Sequence, residues 1–221
     1  MAADGFTAAD GFEADGFDAV VLAGGLARRL EGVDKPALEI GGLTLLDRVL
    51  EACVAARDVV CVGPRRTTRR AVRWTREDPP GAGPVAALAA GLAAEIDDGA
   101  GRAGGAPRVV LLAADLPLLD ARLVHSLWTN SRGHDGAVLV DPDGRDQWLT
   151  ACYARRVLEA RIAEHGGTTA GLSMRGLLAG LDLARIPDPG GQSFDCDTWE
   201  DVSHVRRLVD GGGCGDRPSG T

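Results

Sequence analysis

Lysine is all but missing from this chain of 221 residues: of its 24 basic residues one, Lys35, is a lysine and all the others are arginines. Together with scarce Asn and Ile and abundant Ala and Gly, that bias suggests GC-rich coding. A single lysine kept against it hints that position 35 wants a compact ammonium rather than a planar fork. Aromatic residues make up only 4% of the chain, too few for the stacking platforms of single-strand binders. A net charge of −8 argues against nucleic acid as a partner. The five cysteines, Cys53, Cys61, Cys152, Cys196 and Cys214, include no C-x-x-C pair, so neither a zinc site nor a disulfide framework is indicated. His125, His134, His165 and His204 are equally scattered and read as surface or helix residues rather than metal ligands. No apolar run approaches the roughly 18 residues of a membrane span, and no basic leader precedes an apolar one. A cytoplasmic protein with no membrane partner is expected. A hydrophobic content of 45% suffices for one full core, and the length suits one domain.

What is present is organised around Asp18 to Lys35, DAVVLAGGLARRLEGVDK. A short apolar strand, Ala19–Ala23, runs into Gly24-Gly25, then Arg28-Arg29, then Asp34-Lys35. A buried strand ending in glycines leaves backbone N–H groups free to face an anion, because no Cβ blocks close approach. Arg28, Arg29 and Lys35 set cations beside that nest, which suits phosphates. The dinucleotide fingerprint G-x-G-x-x-G and the P-loop G-x-x-x-x-G-K-[ST] are both absent: Lys35 follows Asp34, and Pro36 stands where the P-loop hydroxyl belongs.

Along the chain, strand and helix patterns alternate. Residues 1–17 contain ADGF three times, bury nothing of their own and are expected to be a disordered tail outside the domain. Thr44 begins a capping-box-like start, with Asp47 in the usual Glu/Gln place, for a helix carrying Leu45, Leu46, Val49, Leu50, Cys53 and Val54 at helical spacing. Asp58–Gly63 reads as a parallel-type strand, and Ala71–Thr75 as another within an arginine-rich, solvated stretch from Arg65 to Arg76. Gly83-Pro84 opens an Ala-rich helix, Val85–Ile96, after a Gly/Pro loop, a second place for an anion or nucleotide. Asp97–Pro107 is a Gly-rich surface loop. Arg108–Asp115 is a buried strand carrying Asp115 at its carboxyl end, where open α/β sheets bind ligands and a carboxylate can hold magnesium; an N-cap role is the alternative, although Asp120 is the better cap for helix Ala121–Ser131. Gly136–Val140 is a strand, DPDGRD (Asp141–Asp146) a turn and Gln147–Arg155 the returning strand, before a helix near Arg156–His165. Ser173 caps a helix to about Leu181, Asp182–Pro187 is extended, and Asp195 and Asp197 precede a capping box, Thr198–Asp201, whose helix runs to about Val209. The fold expected is a three-layer α/β sandwich, mainly parallel with one antiparallel strand. The domain should span 18–210, with 211–221 a second disordered tail.

These motifs closely resemble those of the molybdenum-cofactor guanylyltransferase-like nucleotidyltransferases. The resemblance begins with Leu22–Lys35 (LAGG, an Arg, then Asp-Lys). It continues in order through Glu77-Asp78, Gly83-Pro84, Asp115-Leu116-Pro117, Gly144-Arg145-Asp146 and Phe194–Thr198. It implies a Rossmann-like nucleotidyltransferase fold and transfer of NMP from a magnesium-bound NTP onto a phosphate, releasing pyrophosphate. By position, Leu22, Ala23, Gly24 and Gly25 would hold base and phosphates through backbone groups, with Gly83 also near the nucleotide. Arg29 and Lys35 would neutralise the triphosphate and its developing charge, and Asp78 would read the base. Asp115 would ligate Mg2+ with Asp197 or Asp195, and Arg145, Asp146 and Gln147 would face the acceptor. The resemblance points to GTP and a molybdopterin-type phosphorylated acceptor, and to a monomer or small homo-oligomer. Two departures stand out: Leu30-Glu31 replaces the family's Met-Gly in the phosphate loop, and Gln147-Trp148 replaces its His-Pro. They leave open a same-fold enzyme using CTP or another acceptor, or a nucleotide-binding module without catalysis. Lys35 together with Asp115 argues against the last, because binding alone does not require both.

Overall fold

A computed structural model describes residues 16–24, 32–94, 105–166, 169–188 and 190–211. Residues 1–15 and 212–221, most of the expected loop at 97–104, and the segment holding Gly25, Arg28, Arg29 and Glu31 lie outside the described residues.

In chain order the elements are β1 (Phe17–Leu22), β2 (Glu39–Ile40), β3 (Leu43–Thr44), α1 (Leu45–Ala52), β4 (Val59–Val62) and β5 (Arg73–Thr75). Then come α2 (Pro84–Ala93), β6 (Arg108–Ala113), α3 (Ala121–Asn130), β7 (Gly136–Val140) and β8 (Asp146–Ala154). The last are α4 (Arg155–Glu164), α5 (Met174–Leu177), β9 (Leu183–Pro187) and α6 (Trp199–Gly211). Seven strands form one sheet in the order β5-β4-β1-β6-β8-β7-β9, and β2 and β3 form a separate ribbon. Only β8 runs against its neighbours, antiparallel to both β6 and β7, while the other pairings in the sheet are parallel. This is the mainly parallel three-layer sandwich expected.

The central strands are apolar on both faces because helices cover both. Alternation of side chains across β1 sends Ala19 and Val21 to one face with α1 and α3, where Leu46, Val49, Leu50, Leu123 and Leu127 close the core. Val20 goes to the other face, against Val85 and Leu88 of α2, Leu158 of α4 and Met174 of α5. Gly91 lets α2 lie close there: a Cβ at that position would stand 2.6 Å from a methyl of Val20. A third cluster, Ile40, Leu45, Cys196, Val202 and Val205, docks α6 onto the small ribbon.

The caps fall where the sequence put them. Thr44 accepts from the Asp47 N–H, Asp120 from Leu123 and Ser173 from Gly176. Asp201 accepts from the Thr198 N–H at 2.7 Å and donates its own to Thr198 Oγ at 3.2 Å, a reciprocal box. Three expectations need correction. The Ser173 helix stops at Leu177, because Gly176 and Gly180 weaken its continuation and Gly180 takes a positive φ of 75°. β1 begins at Phe17, the last residue of the third ADGF repeat, which is buried and packs its ring 5.8 Å from that of Trp128. The arginines of the 65–76 stretch are only partly a solvated face: Arg65, Arg69 and Arg76 are exposed, but Arg66, Arg70 and Arg73 are half-buried. Arg66, Arg69 and Arg70 donate to the carbonyls of Ala23, Gly42 and Cys53, and Arg73 lies 2.7 Å from the Asp58 carboxylate. No helix among the described residues is long and apolar enough to cross a membrane.

Candidate active site

The chain adds strands outward from β1 through β4 to β5, then crosses back to β6 on the other side of β1. The carboxyl ends of β1 and β6 therefore form a topological switch point, where open α/β sheets leave a crevice. Leu22 pairs with Ala113 there, and Ala114 N–H donates to Leu22 O at 3.1 Å. Asp115 follows directly. Ala23 donates to Val62 O at 2.8 Å and accepts from Arg66 at 2.8 Å, so its backbone holds the strand end in place. Gly63, at φ 142°, lets β4 close against it, since a Cβ would sit 2.7 Å from the Ala23 carbonyl carbon.

Three distant segments meet at this point. The ammonium of Lys35 lies 2.5 Å from Asp115 Oδ2 and 2.7 Å from Asp197 Oδ1. Lys35 is held by a short 3-10 turn, Lys35–Ala37, whose entry residue Asp34 is gripped by Arg66 through two nitrogens at 2.7 and 2.6 Å. The same guanidinium also reaches Ala23 O and Pro64 O, tying the lysine turn to the end of β1. The planar fork suits this multidentate task as a lysine would not. Asp195 and Asp197 flank Cys196, which is fully buried in the α6–ribbon core and whose N–H lies 3.4 Å from Asp115 O. With the middle side chain anchored inward, Asp115, Asp195 and Asp197 each bring a carboxylate oxygen within 4.8 Å of the others.

Burial works to lower the Lys35 pKa, but the charges of Asp115 and Asp197 and their hydrogen bonds outweigh it and raise the pKa above the usual lysine value. Lys35 therefore stays cationic at neutral pH. Burial raises the Asp195 pKa, and the neighbouring charges of Asp197 and Asp115 raise it further against the pull of Lys35. Three carboxylates converging on hard-oxygen geometry suit a small divalent cation such as magnesium, which takes one or two protein carboxylates and keeps its waters. At the four described cysteines thiol chemistry is disfavoured: burial pushes Cys53 and Cys61 to about 12, and Cys152 and Cys196 to about 11.

Asp115 also borders a pocket of about 680 Å³ lined by Leu22, Gly24, Glu77, Gly81, Gly83 and Leu149 among others. A nucleoside triphosphate fits such a volume. Helix α2 opens onto it from Gly83 with no side chain capping its first turn. Leu149 reaches it through an irregularity: Val138 pairs with Ala151 but Leu139 with Gln147, so the residues between leave the β7 ladder. Among the predicted nucleotide residues, Leu22, Gly24, Gly83 and Asp115 line the pocket; Asp78 is exposed and does not, while its neighbour Glu77 does. Gly25 and Arg29 fall outside the described residues.

Arg145, Asp146 and Gln147 lie in the β7–β8 hairpin on the same carboxyl edge, but none lines this pocket. Arg145 and Gln147 are paired within the hairpin, with Asp143 at 2.7 Å and Asp141 at 2.8 Å, whereas Asp146 pairs with Arg185 of β9 at 3.0 Å. Asp141 and Arg185 border a separate depression of about 530 Å³ beside the hairpin.

Comparison with known proteins gives the chain its family and fold. Residues 19–184 match the model of the MobA-like NTP transferase domain. The chain is 30% identical over 201 residues to a molybdenum cofactor guanylyltransferase of Bradyrhizobium sp. (strain ORS 278), covering 86% of this chain and 92% of that one. It is also 30% identical over 177 residues to a probable molybdenum cofactor guanylyltransferase of Mycolicibacterium paratuberculosis, covering 77% and 84%. Two solved structures share the fold. The molybdopterin-guanine dinucleotide biosynthesis protein A of Archaeoglobus fulgidus superposes with a TM-score of 0.62 at 21% identity, over 88% of this chain and 99% of that one. The 2-C-methyl-D-erythritol 4-phosphate cytidylyltransferase of Thermus thermophilus gives 0.64 at 18% identity, over 88% and 99%. The chain belongs to the MobA-like NTP transferase family and is a nucleotidyltransferase.

Proposed function

We propose that the enzyme transfers GMP from GTP to the phosphate of a molybdopterin-type acceptor in the cytoplasm, with magnesium, and releases pyrophosphate. The observation that carries this reading is the meeting of Lys35 with Asp115 and Asp197 at the mouth of a nucleotide-sized pocket. The names of the relatives supply the guanine and the acceptor.

Asp115 and Asp197 would hold magnesium, with Asp195 beside them, and the donor set fits: hard oxygens from two segments at one point. When bound, magnesium would supply positive charge that offsets the charge of the triphosphate. Lys35 contributes a fixed positive charge where the pyrophosphate leaving group gains negative charge. Its cationic state is secured by the carboxylates around it. Glycines 24 and 83 let backbone approach the nucleotide, and the apolar walls Ala87, Ala113 and Leu149 exclude water from it. Arg29 adds to the neutralisation. The acceptor enters along the edge bearing Arg145, Asp146 and Gln147, its phosphate attacking the α-phosphorus of GTP in line with the departing pyrophosphate. No side chain forms a covalent intermediate, consistent with buried, unreactive thiols.

The test is pyrophosphate release from GTP, CTP, ATP and UTP with magnesium, with and without molybdopterin. Release from GTP that depends on both additions is expected. Acceptor-dependent release from CTP alone would point to the same-fold alternative, and none from any nucleotide would remove the reading.

A further inference from the structure

One guanidinium stands behind the Lys35 cluster without facing the pocket. Arg66 donates to the Asp34 carboxylate from Nε at 2.7 Å and from Nη2 at 2.6 Å. From Nη1 it donates to Ala23 O at 2.8 Å and to Pro64 O at 2.9 Å. Every nitrogen of the fork is therefore engaged within the protein. The side chain is 13% exposed and is not among the residues lining the nucleotide-sized pocket, although Gly24 and Pro64 beside it are. Such a group has little left to offer a phosphate, and its work is done on the residues it holds.

Those residues set the places of two members of the cluster. Leu22 O accepts from the Ala114 N–H at 3.1 Å, which fixes the backbone just before Asp115. The next carbonyl along β1, that of Ala23, is the one Arg66 grips. Asp34 in turn precedes Lys35, and its carbonyl accepts from the Ala37 N–H at 3.0 Å to open the turn that carries the lysine. The Asp34 side chain makes no capping bond to that turn, because it is directed to Arg66. Asp115 and Lys35 are thus both referred to adjacent peptide units at the end of β1, the acid through the sheet and the lysine through Arg66. A lysine stem is flexible, so its reach depends on where its backbone is held. Asp115 and Asp197, which hold the ammonium here, are also the acids assigned to magnesium, so they cannot be its sole anchor during the reaction.

We propose that Arg66 is a positioning residue for nucleotidyl transfer: through Asp34 it holds Lys35 at the place where its ammonium meets the departing pyrophosphate. This rests on the role given to Lys35 above. A misplacement of about 1 Å in such a charge can lower the rate roughly hundredfold. A lysine at position 66 would not serve, because one ammonium cannot lie along a carboxylate and reach two carbonyls in a single plane. The pair also differs from exposed ion pairs, which contribute little, since its guanidinium is bidentate and largely covered.

Pyrophosphate release and equilibrium GTP binding, both with magnesium, test this on wild type, Arg66→Ala, Arg66→Lys, Asp34→Asn and Lys35→Ala, and on Arg66→Ala and Asp34→Asn each combined with Lys35→Ala. Arg66→Ala should lower kcat by roughly tenfold to hundredfold while GTP affinity changes far less. Arg66→Lys should not restore it, and Asp34→Asn should lower kcat in the same direction by a smaller factor. In the Lys35→Ala background both changes should cost less than about twofold, because the group they position is gone. A merely structural role would cost the same factor in both backgrounds. If wild type releases no pyrophosphate, or Lys35→Ala turns over normally, the role of Lys35 falls and this proposal with it. If Lys35→Ala loses turnover but Arg66→Ala does not, or Arg66→Lys restores it, or the loss repeats in the Lys35→Ala background, the role of Lys35 stands and the assignment to Arg66 is wrong. A fall in GTP affinity as large as the fall in kcat would also overturn it. Asp34 is half-exposed and its amide leaves the two carbonyl contacts of Arg66 in place, so Asp34→Asn decides the matter even if Arg66→Ala fails to fold.

Discussion

Two charged regions share the carboxyl edge of the sheet, and they are built in opposite ways. Around Lys35 the partners come from positions 35, 115 and 197, so remote segments are brought together, with carboxylates crowded against one ammonium. In the β7–β8 hairpin, Asp141 accepts from the Arg145 N–H and from Gln147, and Arg145 pairs with Asp143, all within six residues. Apart from Arg185 of β9, which reaches Asp146 and the Gly144 carbonyl, the hairpin's contacts are those any tight polar turn makes. Nothing in chain geometry requires the Lys35 cluster. Crowding acids beside one cation is unfavourable on its own, which is typical of a site shaped for charge transfer. The proposed chemistry therefore rests on the converged cluster, and the hairpin is proposed to select the acceptor.

The largest effect that sharpens this contrast belongs to Asp115→Asn. Magnesium-dependent pyrophosphate release should fall by about three orders of magnitude with the melting temperature little changed, and Asp197→Asn should fall less. Wild-type turnover in Asp115→Asn at low magnesium would move the metal elsewhere. Next is Lys35→Ala, expected to lower turnover by roughly two to three orders of magnitude while nucleotide affinity changes far less. Steady-state kinetics beside equilibrium binding will show it, and a loss confined to affinity would reduce Lys35 to an anchor. Arg145→Ala should raise the acceptor KM by roughly tenfold or less and leave GTP binding alone, because an exposed pair contributes little; a collapse of turnover there would erase the contrast. Deleting residues 1–15 should change neither activity nor melting temperature, whereas deletion through Phe17 should lower the latter, since that ring is in the core.

Much of this was legible in the sequence because the central strands are continuous apolar runs and the caps are local. The single lysine and the strand-end Asp115 were visible for the same reason: each stands next to a conspicuous element. Arg66 was not, because its grip on Asp34 joins two residues that each look like ordinary surface charge. Glu77 and Asp78 are adjacent in an irregular loop, where no periodicity tells which side chain turns inward. The repeat pattern hid Phe17, although its position directly before the run DAVVL was a usable signal. Asp195 and Asp197 could be placed on one side only once Cys196 was known to be buried between them.

The central claim is that Asp115 belongs to a metal site shared with the nucleotide's phosphates. GTP affinity measured by calorimetry in wild type and Asp115→Asn, each with magnesium and with a chelator, tests it most directly. A carboxylate that binds magnesium repels the bare triphosphate, so the two conditions should reverse the order. With magnesium, wild type should bind GTP roughly tenfold or more tightly than the variant. With chelator, the variant should bind at least as well as wild type. Equal affinities in both conditions, or the same ratio with and without magnesium, would contradict the account.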